Sequence, residues 1–208
     1  MHVVFDLDGV LLDSESDLSW LDSALEETLE SFGLEPNETN RRALFPPSRA
    51  EMRELAETAG VSIERLWAVR NRNYVDAKVS AIETGQIGPY PDVGVVEELS
   101  RRFPVGIVSN SPQIVVETFL DETGLTDIVD EAIGRGMELA DVDRLKPDPH
   151  LYERFHEAAA GNEYVYVGDE PSDREFAERT GMDFVHLDRE NGPVATLYDV
   201  QDRLDDTG

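Results

Sequence analysis

The sequence predicts an α/β fold, a doubly wound parallel sheet with an inserted all-helical domain. Three observations carry that reading: apolar runs of strand length recur along the chain, helical segments alternate with the later runs, and only helical spacing separates the first run from the second.

In chain order, the first run, Val3 to Phe5, leads into Asp6-Leu7-Asp8-Gly9-Val10. From about Ser16 to about Ile82 the rhythm is helical: Leu18, Leu21, Leu25, Leu29 and Phe32 recur at three/four spacing, closed by Gly33. Ser48 and Glu51, after Pro46-Pro47, read as a capping box, and a helix from Ile63 to about Val79 follows Gly60 and Ser62. Residues 15–85 are thus expected to form a helical domain over the strand ends of a core built from 1–14 and 86–208, with Gly85, Gly88, Pro89 and Pro91 in the return linker.

The remaining strands are expected at Val105 to Val108, Tyr164 to Val167 and Phe184 to Leu187, with a weaker one near Ala132 to Ile133. Helices are expected at Ile114 to Leu120, His150 to Ala159 and Asp173 to Thr180, ending before Gly124, Gly161 and Gly181. The acidic stretch Asp205 to Gly208 reads as a frayed end.

Composition narrows the classes of function. At 208 residues and 40% hydrophobic content the chain can bury a core. No run approaches the roughly 20 apolar residues of a membrane span, and the N-terminus lacks signal-peptide character, so a cytoplasmic protein is expected. The absence of cysteine excludes disulfides and thiolate chemistry.

A formal net charge of −27, from 45 acidic against 18 basic residues, leaves no basic stripe for nucleic acid. Only Lys78 and Lys146 are lysines; the other basic residues are arginines. An acid-rich, lysine-poor globular chain resembles proteins of extreme halophiles, whose self-repulsion strong salt screens. In such a chain each retained lysine is expected to have a task.

Asp6 and Asp8, two residues apart at a strand end, would share a face and repel each other unless a cation or proton relieves them. The pair is a candidate hard-metal site with a nucleophile and an acid/base. Ser109-Asn110-Ser111 ends the second run with donors suited to phosphate oxygens. Lys146-Pro147-Asp148-Pro149 supplies a point charge, and Gly168-Asp169-Glu170-Pro171-Ser172-Asp173 adds carboxylates at another strand tip.

This ordered set resembles the haloacid dehalogenase (HAD) superfamily, in the branch with a helical cap after the first strand. Asp6 to Val10 matches its first motif, Ser109-Asn110 the second, Lys146-Pro147 the third, and Gly168-Asp169 with Asp173 the fourth. The resemblance implies an HAD-like Rossmannoid core of the phosphoglycolate phosphatase or β-phosphoglucomutase-like branch. It also implies that Asp6 attacks phosphorus while Asp8 serves as acid and then base. Ser109 and Lys146 would hold the phosphoryl group, with Gly9 and Asn110 beside the substrate. Mg²⁺ would be held by Asp6, the Asp8 main-chain carbonyl and Asp169, with Asp173 bonding through water or orienting Lys146. The expected substrate is a small phosphorylated metabolite, and the expected assembly a monomer or small homo-oligomer.

Arg49, after the Pro46-Pro47-Ser48 turn, is the cap candidate for a substrate anion. Lys78 matches no motif and reads as a solvated cap-helix residue. Trp20, Trp67 and Tyr74 read as packing, and His2, His150, His156 and His186 lack metal-ligand spacing. A phosphosugar mutase is the competing enzyme, although that branch has a histidine where this chain has Leu18 and a lysine where it has Pro112. A receiver-type signalling domain shares the acidic pocket, but the helical insertion and Asp8 argue against a long-lived aspartyl-phosphate.

Overall fold

The computed structural model describes residues 1–159 and 161–205. In chain order, β1 (His2–Phe5) and β2 (Leu12–Asp13) precede four helices, α1 (Ser19–Glu30), α2 (Glu38–Leu44), α3 (Arg49–Ala59) and α4 (Ile63–Glu83). Next come β3 (Gly88–Pro89), α5 (Val95–Ser100), β4 (Val105–Pro112), α6 (Gln113–Thr123) and β5 (Glu131–Arg135). A 3-10 turn at Leu139–Arg144 leads to α7 (His150–Ala158), β6 (Tyr164–Gly168), α8 (Pro171–Thr180), β7 (Asp183–His186) and α9 (Leu197–Asp205).

The main sheet is parallel throughout, in the order β5-β4-β1-β6-β7. Both of its faces are covered, as an all-parallel sheet requires. Along β1 the side chains alternate: Val4 packs with Phe155, Tyr166 and Phe176 under α7 and α8, whereas Val3 and Phe5 belong to the cluster containing Val115, Phe119 and Leu197 from α6 and α9. With β1 central, its carboxyl end opens where strand order reverses, which is where doubly wound sheets place their sites.

The helical insertion enters through β2 and leaves through β3, which pair antiparallel with Leu12 opposite Pro89 and Asp13 opposite Gly88. Within it, the inner faces of α1 and α4 pack together: Trp20 meets Tyr74 edge-on at 5.4 Å between ring centroids, and Asn73 donates to Thr28 Oγ1 at 3.2 Å. Helix ends follow local chemistry. Gly60, Gly124 and Gly181 take the left-handed conformation that closes α3, α6 and α8, and Ser62 accepts from Arg65 N at the start of α4.

Some details depart from the sequence reading. Leu18 lies ahead of α1 and is exposed rather than part of its buried face. Ser48 makes no side-chain cap bond; α3 starts after the Pro46-Pro47 break with Glu51 complementing its N-terminal dipole. Asp205 belongs to the last turn of α9 and pairs with Arg102, while residues 206–208 lie outside the described residues. Among the described residues no helix is long and apolar enough to cross a membrane.

Candidate active site

β1 ends at Phe5, yet Asp6 extends its ladder, donating from its backbone N to Val167 O at 2.9 Å. Asp6 Oδ1 accepts from Leu7 N at 2.7 Å and Oδ2 lies 2.8 Å from Lys146 Nζ. The chain then leaves the sheet through Gly9, whose φ of +73° favours glycine; a Cβ there would lie 1.9 Å from Asp169 Oδ2. This turn corrects the expectation of two carboxylates on one strand face: Asp6 and Asp8 project beyond the strand toward different partners.

Lys146 is the hub on the Asp6 side. Its Nζ donates to Asp173 Oδ1 at 2.7 Å and to Tyr166 Oη at 2.7 Å, and its backbone N donates to Asn110 Oδ1 at 2.7 Å. Asn110 thus positions the lysine loop from the tip of β4. Asp173, fully buried in the first turn of α8, also accepts from Glu170 N at 3.1 Å, so it caps the helix and orients Lys146 at once. Ser109, buried where the register of β4 against β5 slips, accepts from Ser111 N at 3.1 Å.

On the other side stands a residue that the sequence reading set aside. Lys78 is buried at 2% exposure, not solvated: α4 carries its Nζ to 2.5 Å from Asp8 Oδ1 and 3.0 Å from Ser111 Oγ. Ser111 in turn donates to Asp8 Oδ2 at 2.6 Å. Such burial is tolerable because an opposite charge and a hydroxyl receive the ammonium. The scarcity of lysine was the available signal, since both lysines of the chain reach this centre.

The electrostatics separate the carboxylates. Burial pushes Asp6 up to about 6, against the pull of Lys146, with Asp173 and Asp8 adding to the rise. Burial and the charges of Asp6 and Asp173 push Asp169 to about 8. Burial would also raise Asp8, but Lys78, Ser111 and Ser14 together outweigh it and hold Asp8 below the usual carboxylate range. A raised Asp8 pKa, which acid catalysis requires, is therefore not what its present partners provide. Lys146 and Lys78 both stay cationic, since facing carboxylates overcome the burial that disfavours their charge.

One oxygen each from Asp6, Asp169 and Asp173 lies within 4.8 Å of the others, and Asp169 Oδ1 is buried with no hydrogen-bond partner among the described residues. A cluster of hard oxygen donors with an orphaned acceptor fits a small divalent cation such as Mg²⁺. The backbone of Asp169 is braced by His186, whose Nε2 lies 2.9 Å from its carbonyl oxygen. None of His2, His150, His156 and His186 belongs to the carboxylate cluster.

A cavity of about 250 Å³ opens on the Asp8 side between core and helical insertion. Leu18, Trp20, Phe45 and Tyr74 line it, so Trp20 and Tyr74 both pack the helices and wall the cavity. Trp67 is packing alone, with its Nε1 donating to Met137 O at 2.9 Å. Arg49 is absent from the lining; its Nη1 lies 2.5 Å from Asp143 Oδ2. Among the described residues the cations that do face the cavity are Arg70, Lys78 and Arg135, none of which sequence motifs single out.

A family model described as haloacid dehalogenase-like hydrolase matches residues 3–187. Among solved structures, a HAD phosphatase from Thermococcus onnurineus superposes with a TM-score of 0.62 at 24% identity, covering 98% of this chain and 97% of the other. A protein provisionally named a phosphoglycolate phosphatase, from Lactobacillus delbrueckii subsp. bulgaricus, gives 0.62 at 23% identity, with 97% and 90% covered. CbbY from Rhodobacter sphaeroides, solved in complex with phosphate, gives 0.65 at 16% identity, with 94% and 91% covered. At these identities the likeness shows the fold. No match was found among curated proteins.

Proposed function

The chain belongs to the haloacid dehalogenase-like hydrolases, and on that premise we propose that it is a Mg²⁺-dependent phosphatase acting on small phosphomonoesters through an aspartyl-phosphate on Asp6. Membership of that family makes it a hydrolase. The observation that carries the reading is the division of labour around β1: Asp6 faces Lys146 and the carboxylate cluster, whereas Asp8 faces a cavity able to take a leaving group. The phosphate held by CbbY and the activity in the provisional name of the Lactobacillus protein agree with it.

Asp6, Asp169 and the Asp8 main-chain carbonyl would hold Mg²⁺, which when bound supplies positive charge against the phosphoryl oxygens and the carboxylate cluster. Lys146, oriented by Asp173 and Tyr166, and Ser109 steady the phosphoryl oxygens. An Asp6 carboxylate oxygen bonds to phosphorus as the ester P–O bond breaks, and Asp8 gives its proton to the leaving oxygen. Asp8 then takes a proton from water, whose oxygen attacks the aspartyl-phosphate, releasing inorganic phosphate and restoring Asp6. Because Lys78 opposes protonation of Asp8, the acid step requires the Lys78–Asp8 hydrogen bond to yield as the leaving group enters. The helical insertion excludes water and selects that group. Leu18 and Pro112, where the mutase branch carries histidine and lysine, favour transfer to water over transfer to a second sugar hydroxyl.

The test is phosphate release from a panel of small phosphoesters in high salt, with and without Mg²⁺, beside Asp6→Asn. Mg²⁺-dependent release by the wild type and none by Asp6→Asn is expected; no hydrolysis of any member overturns the reading.

A further inference from the structure

The cavity beside Asp8 holds an imbalance of charge. In a chain with net charge −27, this cavity is lined by three cations, Arg70, Lys78 and Arg135, against two carboxylates, Asp8 and Glu15. Lys78 is spent on Asp8, and Glu15 is exposed. That leaves Arg70 and Arg135, at 1% and 3% exposure, and among the described residues neither has a carboxylate within ion-pairing distance. Burying two guanidinium groups without an ion pair costs free energy, which a carboxylate offsets only for Arg135 and only at a distance, through the charge of Asp141. Their charges also repel one another.

Both groups are held in fixed positions. Arg70 donates from Nε to Leu44 O at 3.1 Å and stacks near Tyr74, Trp67 and Phe45, with its guanidinium carbon 4.5, 5.5 and 5.9 Å from the ring centroids. Its two terminal nitrogens have no hydrogen-bond partner among the described residues. Arg135 ends β5 and donates to Gly136 O at 2.9 Å and to Asn71 Oδ1 at 2.6 Å, both neutral acceptors. The aromatic walls lower the local dielectric, so an anion arriving here gains more than it would at the surface.

We propose that this pair of arginines is a specificity site for a second anion on the substrate, a carboxylate or a further phosphate carried by the leaving group. The proposal rests on the phosphatase reading only for the position of the reacting phosphate; the site itself is defined by Arg70 and Arg135. Neutral sugar or polyol phosphates are then poor substrates, because they leave both guanidinium groups buried and unpaired.

Isothermal titration in the Asp6→Asn background with Mg²⁺ compares 2-phosphoglycolate with glycerol 3-phosphate, and propane-1,3-diol bisphosphate with its monophosphate. The doubly anionic member of at least one pair is expected to bind about 10- to 100-fold tighter, the range of a charge-assisted hydrogen bond or two. The pair that responds identifies the second anion. Adding Arg70→Gln or Arg135→Gln brings that ratio to within about threefold of one, and Arg70→Lys restores part of it. Equal affinities in both pairs overturn the proposal. So does a loss in Arg70→Gln that weakens both members alike and leaves the ratio intact, since that marks a structural role. Phosphate release by the protein with Asp6 intact separates the two ideas: preference without turnover sinks the phosphatase reading alone, and turnover without preference sinks the anion site alone.

Discussion

Lys78 Nζ and Asp8 Oδ1, carried by the helical insertion and the core respectively, meet at 2.5 Å, an ion pair whose lysine is buried and whose carboxylate is half-buried. The contact couples the position of α4 to the protonation of the proposed acid/base.

Replacing Lys78 with methionine removes the charge that holds Asp8 down. The Asp8 pKa then rises, and the acid limb of the kcat profile, where Asp8 must be ionised to activate water, moves to higher pH. Stability falls by about 3 kcal/mol, the low end for breaking a buried pair, because Asp8 keeps some solvent contact. Thermal melts and pH–rate profiles measure both; an unmoved limb removes Lys78 from a role in tuning Asp8.

Metal binding should release protons near neutrality. Asp169 at about 8 and Asp6 at about 6 lie above their unfolded value of 3.8, so their protonated forms favour the metal-free fold. Their contribution is complete below that value and is lost as pH rises through about 6 and then about 8. Metal-free protein therefore loses stability between these points, and Mg²⁺, which requires both carboxylates ionised, binds more tightly across the same window. Calorimetry in two buffers of different ionisation enthalpy counts the protons: release at pH 7 that vanishes above pH 9 is the expected outcome.

Gly9→Ala tests the turn that separates the two aspartates. The new Cβ would collide with Asp169 Oδ2 and sit at a positive φ that alanine resists, at a cost of about 1–2 kcal/mol. Displacement of Asp169 weakens Mg²⁺ binding as well, so the concentration of Mg²⁺ giving half-maximal activity rises. A variant with wild-type Mg²⁺ dependence refutes the close packing.

The charge of −27 predicts a salt-dependent fold. Melting temperature should fall by several degrees, about 1–2 kcal/mol for a chain of this size, between molar and dilute KCl. Identical melts in both solutions contradict that expectation.

Sheet and motif positions were legible in the sequence because strand tips and backbone turns have local signatures. Asp6, Lys146, Asp169 and Asp173 converge as their motif order implies, and Gly124 and Gly181 close their helices. What escaped was carried by long-range packing. Lys78 lies on a helix with no motif, and only the tertiary approach of α4 to β4 makes it a partner of Asp8 and Ser111. Arg70 and Arg135 were hidden for the same reason: a buried cation without a carboxylate leaves no pattern in the chain. Arg49, favoured for its place after a turn, finds Asp143 of the core instead.

The antiparallel contact of Leu12 with Pro89 has a further consequence. Because the ends of the helical layer emerge side by side, exchanging everything between them leaves the sheet in place with Asp6, Lys146, Asp169 and Asp173, and removes the Lys78 partner of Asp8. A transplant of another helical module onto Asp13 and Gly88, with a cation placed to meet Asp8 as Lys78 does, would redirect which molecules are accepted, making this short ribbon the natural seam for engineering.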